Sequence, residues 1–432
     1  MRKIGLFLFD HDCRVQDNLA LNQLCQLVDE VICVYWLKPT SKFVARYSQV
    51  QPSAAQRGFL RHTLDTLNQE LEHGGQRLIV LEGDLCAHIQ AYIEQLASPQ
   101  QCLSHIARTA HCGWYENQQW QALQLKFPQL SFLSEHHATL FAPEHLPFSL
   151  EHLPPSFTPF RQQVEHLNIA APSSVSRLPP PPKAMIQTLP AWPLSLKNAG
   201  LSQQQTQATA AVSKAFPQAK AHLHDYFATR AASEYKQTRN ALSGHYFSTR
   251  FSAYLAHGSL SPQQIIQALK AYEDQHGANE STYWIFFELL WREYFYYAAV
   301  AKPRSLFFKG GAKQRQLDTA FDAHRFSQWC EGSTNYPLVN ALMNELSATG
   351  WLSNRGRQIV ASCLVNELGL DWRYGAAYFE QCLIDYDVAS NWGNWQYIAG
   401  VGADPRGGRH FSIEKQTGLY DPLGRYIKTW TQ

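Results

Sequence analysis

Seven prolines fall between Ala171 and Pro193, four of them consecutive at Pro179–Pro182. Proline fixes φ, lacks a backbone N–H and clashes with the preceding helical turn. This stretch is therefore neither a helix interior nor a central strand. It reads as an extended crossing that divides the chain in two. A chain of 432 residues has room for that, since one domain commonly takes about 100–200. The polar Gln203–Gln207 piece prolongs the region, and the connector is taken as 136–217.

The two sides differ in hydrophobic period. Before the connector lie short apolar runs at Lys3–Phe9, Val31–Trp36, Leu78–Leu81 and Leu130–Leu133. Between them Leu60, Leu64, Leu67 and Leu71 recur at helical spacing. This alternation predicts an α/β, Rossmann-like domain over 1–135, a parallel sheet with helices on both faces. Neither GxGxxG nor GxxxxGK[ST] occurs, which excludes the usual dinucleotide and P-loop devices. After the connector the pattern is helical, so 218–432 is expected to be a largely α domain. Ser261 and Pro262 form a start signal. Glu280–Ala299 is aromatic on several sides and reads as a buried helix. Gly356–Leu368, closed by Gly369, and Gly375–Ile384 are two more.

Composition narrows the class. The net charge is +2, charged residues are 17% and aromatic residues 13%, which excludes both a disordered chain and a polybasic binder. Nine cysteines without a CxxC pair argue against a disulfide framework or a zinc knuckle and for buried thiols of a cytoplasmic protein, and no metal site is assigned. No run reaches the roughly 18 apolar residues of a membrane span. Of the 12 tryptophans, eight lie between Trp284 and Trp430.

Three clusters carry chemistry. Trp284, Glu288, Trp291, Arg292 and Phe295 share one helix face. That face is either a core with an internal Glu–Arg pair or a pocket where a flat ligand stacks on tryptophan. The hydroxyls of Ser248-Thr-Arg-Phe-Ser252, beside Tyr254, suit phosphate oxygens or cap a helix. Leu383–Tyr397 holds Asp385, Asp387 and Asn391, then Trp392, Trp395 and Tyr397, with no histidine to make a metal site. Buried carboxylates need strong donors such as an arginine or ring N–H groups. Tryptophans packed beside such groups fit a redox-active aromatic ligand better than a plain core.

With these segments in view the chain resembles the cryptochrome/photolyase flavoproteins. Ser353-Asn-Arg-Gly-Arg-Gln-Ile-Val-Ala-Ser362, Leu370-Asp-Trp-Arg-Tyr-Gly375 and Ile384–Tyr397 carry the resemblance. Tyr235–Asn240, Asn279–Trp284, Glu288–Arg292, Phe157–Arg161 and Ile413–Asp421 are similar to the DASH-type branch. The resemblance implies FAD, folded into a U shape in the helical domain. Tyr235, Ser248, Thr249, Arg250, Phe251, Ser252, Arg292, Asp385, Tyr386, Asp387 and Asn391 would contact it, with the Asn391 amide facing flavin N5. Glu288, Trp291 and Tyr397 would line a pyrimidine-dimer cavity. Arg239, Asn354, Arg355 and Arg357 would lie toward DNA, and Gln358 accompanies a preference for single strands. Trp395 and Trp372 match the first two members of an electron relay. Its third position is Thr319, which cannot carry a hole, so either Phe321, Trp351, Tyr374 or Tyr378 replaces it or photoreduction is impaired. The implied activity is blue-light-driven repair of cyclobutane pyrimidine dimers in single-stranded DNA, by a monomer. The alternative is a non-repairing photoreceptor that binds DNA or a protein partner. A 5,10-methenyltetrahydrofolate antenna would meet Glu116 or Gln119. The segment Asp10-His-Asp-Cys-Arg14 departs from the family's Arg-Asn-Asp-Leu-Arg.

Overall fold

Five parallel strands form one sheet in the order β3-β2-β1-β4-β5: β1 (Arg2–Phe9), β2 (Glu30–Leu37), β3 (Leu78–Glu82), β4 (Gln101–Thr109) and β5 (Ser131–Glu135). The computed structural model describes residues 1–39, 43–47, 52–175, 177–186, 192–193, 196 and 216–431. The Gln203–Gln207 piece lies outside the described residues.

β1 is buried along most of its length because both faces are covered. Leu24 of α1 (Leu19–Leu27) and Leu64, Leu67 and Leu71 of α2 (Ala54–His73) pack on one face with Phe7 and Val31. Ile89 of α3 (Leu85–Leu96) and Trp120 and Leu123 of α4 (Trp114–Lys126) cover Ile4, Leu6 and Ile32 on the other. The four apolar runs are strands, as their sequence predicts. β4 is a fifth that the apolar pattern missed. It carries Ser104, Arg108 and Thr109, and each finds a partner that only the fold supplies. Ser104 donates to the Ile4 carbonyl at 3.1 Å, Arg108 to Asn117 at 2.6 Å and Thr109 to Asp12 at 2.6 Å.

The connector region does more than cross. Phe157–Val164 is a helix inside it, and its Phe157 and Phe160 are buried in the core of the helical part. The proline run lies along the sheet: the Pro180 carbonyl accepts from the Val31 N–H at 3.1 Å, and Gln76 donates to the Pro179 carbonyl.

The helical part is built around Glu280–Ala301, whose start is fixed by a capping box between Asn279 and Thr282. Apolar residues ring this helix, so it is buried on several sides, as predicted. The predicted Gly356–Leu368 helix is Asn354–Ser362 followed by a π-helical turn, Cys363–Glu367, and Gly369 ends it at φ 65°. Helices Trp372–Cys382 and Val388–Ala399 pack together through Gly375. A Cβ there would stand 2.2 Å from the Trp395 ring, so only glycine lets the indole lie against the neighbouring helix.

The two parts meet at the loop after β1. Asp17, fully buried, accepts from the Ser173 N–H at 2.7 Å, bonds to His137 Nε2 at 2.9 Å and takes the Ser261 hydroxyl. Burial opposes its charge, but these partners outweigh it and bring its pKa down to about 2. Among the described residues no helix is long and apolar enough to cross a membrane.

Candidate functional site

A cavity of about 410 Å³ opens within the helical part, a size typical of sites for organic ligands. It gathers Tyr235, Arg239, Ser248, Thr249, Arg250, Phe251, Ser252, Glu288, Trp291, Arg292, Asn354, Arg357, Gln358, Asp385, Asp387, Asn391, Trp395 and Tyr397. Most of the residues singled out in the sequence thus share one chamber. Arg355, Trp372 and Tyr386 are not part of its lining.

The polar end is built on the turn into helix Val388–Ala399, where Asp385 and Asp387 face the cavity while Tyr386 between them does not. The Asp385 side chain is fully buried and receives Arg357 at 2.7 Å and the Ser252 hydroxyl at 2.6 Å. Its second oxygen is buried and has no protein partner. Asp387 caps its helix by accepting from the Ser390 N–H at 2.7 Å, and Arg292 stands 3.8 Å away. Burial works against the Asp387 charge, yet Arg292 and the Ser390 N–H hold its pKa below the usual carboxylate range. Arg292 is aimed by a 2.6 Å bond to the Ala138 carbonyl.

Opposite lies the hydroxyl turn. Arg250 takes a left-handed backbone, φ 53°, which reverses the chain so that Ser248, Thr249 and Ser252 all reach the cavity. Its guanidinium packs 5.1 Å over the Trp351 ring. The Asn391 amide donates to the Ala376 carbonyl at 3.0 Å, which fixes its orientation.

The wall toward solvent is aromatic. Trp291 stacks on Phe157 at 3.8 Å, and Tyr397 meets it edge-on at 5.8 Å. Arg409, which no sequence signal marked, donates to the Tyr397 hydroxyl at 2.6 Å. Glu288 pairs with Arg239 at 2.5 Å. Burial raises its pKa, with Arg239 opposing. Gln358 Oε1 is buried without a partner.

Arg355, Tyr386 and Trp372 lie outside the cavity lining. Arg355 and Arg357 do not form one phosphate patch, because residues two apart on a helix do not share a face. Arg357 turns to Asp385, while Arg355 packs over Phe411 and Tyr420 and bonds to Asn240 at 3.3 Å. Tyr386 donates instead to Glu380 at 2.5 Å, and Trp392 Nε1 shares that carboxylate at 3.0 Å. Trp372 is buried behind the cavity, its N–H on the Lys309 carbonyl at 3.0 Å and its ring 5.8 Å from Trp392. Thr319 has a buried hydroxyl without a partner, while Phe321 stacks on Tyr374 at 4.1 Å. Glu116 and Gln119, one turn apart on α4, border the same small cleft at the end of the sheet.

The polar end suits a flavin nucleotide. A buried carboxylate oxygen of Asp385 lacks a donor there, such as a ring N–H group would supply. Hydroxyls and Arg250 face it, as a diphosphate requires. These features define an FAD-binding domain of photolyase type, and residues 284–432 match the family described as the FAD binding domain of DNA photolyase. Residues 5–183 match the family described as DNA photolyase. A Cryptochrome DASH of Idiomarina loihiensis is 46% identical over 430 residues, 99% of this chain and 92% of that protein. One from Vibrio parahaemolyticus is 46% identical over 432 residues, 99% of this chain and 93% of that one. Among solved structures, a Synechocystis cryptochrome superposes with a TM-score of 0.86 at 34% identity, covering 99% of this chain and 88% of that one. A class III photolyase from Agrobacterium tumefaciens gives 0.84 at 26% identity, covering 100% and 86%. The chain belongs to the cryptochrome/photolyase family, in its DASH branch, and its cofactor is FAD.

Proposed function

We propose that the protein is a blue-light-driven lyase that splits cyclobutane pyrimidine dimers in single-stranded DNA. The observation that carries this reading is the Trp291–Tyr397 wall standing beside Glu288 in the same chamber as Asp385 and Asn391. Bound FAD would supply the electron that opens the dimer. The chain's own groups bind and orient. Trp291, braced by Phe157, offers a stacking face, and Tyr397, braced by Arg409, a second one. Base stacking on such rings contributes about 1–3 kcal/mol per base. Glu288, paired with Arg239, offers its carboxylate as an acceptor for a base N–H. Asn391 presents an amide that does not ionise, and Arg239 holds Glu288 in place. Photolyases in general extrude their target nucleotide, at a cost of a few kcal/mol in duplex that a single strand largely avoids. Glu116 and Gln119 are our candidate contacts for a methenyltetrahydrofolate antenna.

The test is blue-light illumination of a thymine-dimer oligonucleotide, single-stranded and duplex, with the FAD-loaded protein. Repair of the single strand ahead of the duplex is expected; no repair of the single strand would overturn the reading. Thr319 supports the second reading, a non-repairing photoreceptor. On that reading the single strand binds and the dimer persists under light.

A further inference from the structure

We propose that Asp10, His11 and His111 form a binding site for one divalent transition-metal cation of the zinc class. The site is built by topology. β1 and β4 lie side by side, and the chain leaves them toward opposite edges of the sheet, to β2 and to β5. Such a switch point opens a crevice at the strands' carboxyl ends, where α/β sheets hold their ligands. Asp10 and His11 follow β1 directly, and His111 lies just beyond β4.

The three side chains converge there. The two imidazoles meet edge to face with centroids 4.5 Å apart. Asp10 Oδ2 stands 4.0 Å from His11 Nδ1 and 4.0 Å from His111 Nε2. One ligand atom from each residue lies within 4.8 Å of the others. A cation bound at about 2.0–2.2 Å by histidine nitrogen and carboxylate oxygen draws such atoms together by small side-chain rotations. Both ring nitrogens of His11 are buried and lack a hydrogen-bond partner. A buried polar group left so is costly, and coordination satisfies one of the two. Two imidazoles and one carboxylate make the three-ligand set that leaves a fourth position open on zinc.

The neighbouring groups suit a bound cation. Glu116 Oε2 lies 3.9 Å from His111 Nδ1, placed to receive its proton once Nε2 holds the metal. The Gly113 N–H now donates to that Nδ1 at 2.9 Å and gives up this bond on metal binding. Lys38 pairs its ammonium with the same Asp10 oxygen, and its side chain is 30% exposed, free to swing out. Binding is then an exchange of one cation for another at Asp10, with Lys38 as the competitor.

The experiment titrates chelator-treated, FAD-loaded protein with zinc chloride by calorimetry, with flavin absorbance and thermal melting as folding controls. One zinc per chain is expected. His11→Asn and His111→Asn should each weaken it at least about 10-fold, and Glu116→Gln about 10-fold. The exposed His73→Asn should leave it unchanged. Lys38→Ala should tighten it, a result that zinc on scattered surface histidines cannot produce. Absence of stoichiometric zinc on the wild type, or the same affinity in the His11→Asn/His111→Asn double variant, would overturn the proposal. Should the histidine variants fail to fold, unchanged affinity in Lys38→Ala overturns it alone.

Discussion

Arg357→Ala separates a cofactor-side role for this arginine from a DNA-phosphate role. The Asp385 side chain is fully buried, and Arg357, 27% exposed, is its ion-pair partner at 2.7 Å. Removing one partner of a buried pair costs about 3–5 kcal/mol because a charge is left uncompensated. Here solvent reaches the arginine, and the Ser252 hydroxyl keeps its 2.6 Å bond to Asp385. A bond to a charged group contributes about 1.5–3 kcal/mol, so the net loss is set at about 2 kcal/mol. Urea unfolding followed by tryptophan fluorescence at pH 7 measures this loss, since eight of the 12 tryptophans lie from Trp284 onward. Asp385→Asn in the same background should return most of the loss, as expected for a coupled pair. In a parallel assay, the salt dependence of single-strand DNA affinity should keep the wild-type slope. A slope lower by about 1, together with unchanged stability, would refute the reasoning and return Arg357 to the DNA backbone.

Two further outcomes follow from packing and burial. Gly375→Ala places a methyl 2.2 Å from the Trp395 ring, so it should destabilise by about 1–3 kcal/mol and slow light-driven flavin reduction, read by thermal melting and flavin absorbance. Glu380 has its pKa raised to about 7 from 4.5 by burial, against the opposing bonds from Tyr386 and Trp392. A carboxyl with a raised folded pKa loses stability as pH rises through that interval, here by about 3 kcal/mol once pH passes 7. Glu380→Gln keeps an acceptor for both donors and cannot ionise. It should match the wild type near pH 5, exceed it at pH 8 and flatten the profile; equal slopes in denaturant unfolding would contradict this.

What the sequence makes legible depends on whether a residue's partners are local. β1, β2 and β3 announce themselves because both faces are covered and nearly every position must be apolar. The helix Glu280–Ala301 is visible for the same reason, and its cap lies in adjacent residues. β4 is hidden because Ser104, Arg108 and Thr109 pass for loop chemistry until Ile4, Asn117 and Asp12 are beside them. In the cavity, the residues that the resemblance names sit in short motifs, and the fold brings most of them into one lining. Their directions follow from local geometry. The two-residue spacing that joins Asp385 to Asp387 in the turn before helix Val388–Ala399 is the spacing that parts Arg355 from Arg357 on a helix. The supports are not local: Phe157 comes from the connector, and Arg409 from a loop beyond helix Val388–Ala399.

The sheet order governs the last case. Consecutive strands usually neighbour one another, and on that expectation β1 would keep company with β2 alone and the loop after β4 would lie far from it. In the order β3-β2-β1-β4-β5 the chain returns to the centre after β3, and β4 pairs with β1 with Phe7 opposite Ala107. That one choice carries His111 to His11 and Asp10. It also sets the loop after β1 against the helical part, where the Cys13 N–H bonds to the His257 carbonyl at 2.9 Å and Arg14 to the Gly258 carbonyl at 2.8 Å. Gly258 accepts this approach with φ 68° and no Cβ, since one would stand 1.9 Å from the His11 carbonyl oxygen. The histidine cluster is thus clamped from the α/β side by strand pairing and from the helical side by a glycine contact. A cation held there would join the loop after β4 to the loop after β1, which itself packs on the helical part, so zinc should raise the melting temperature of the chain.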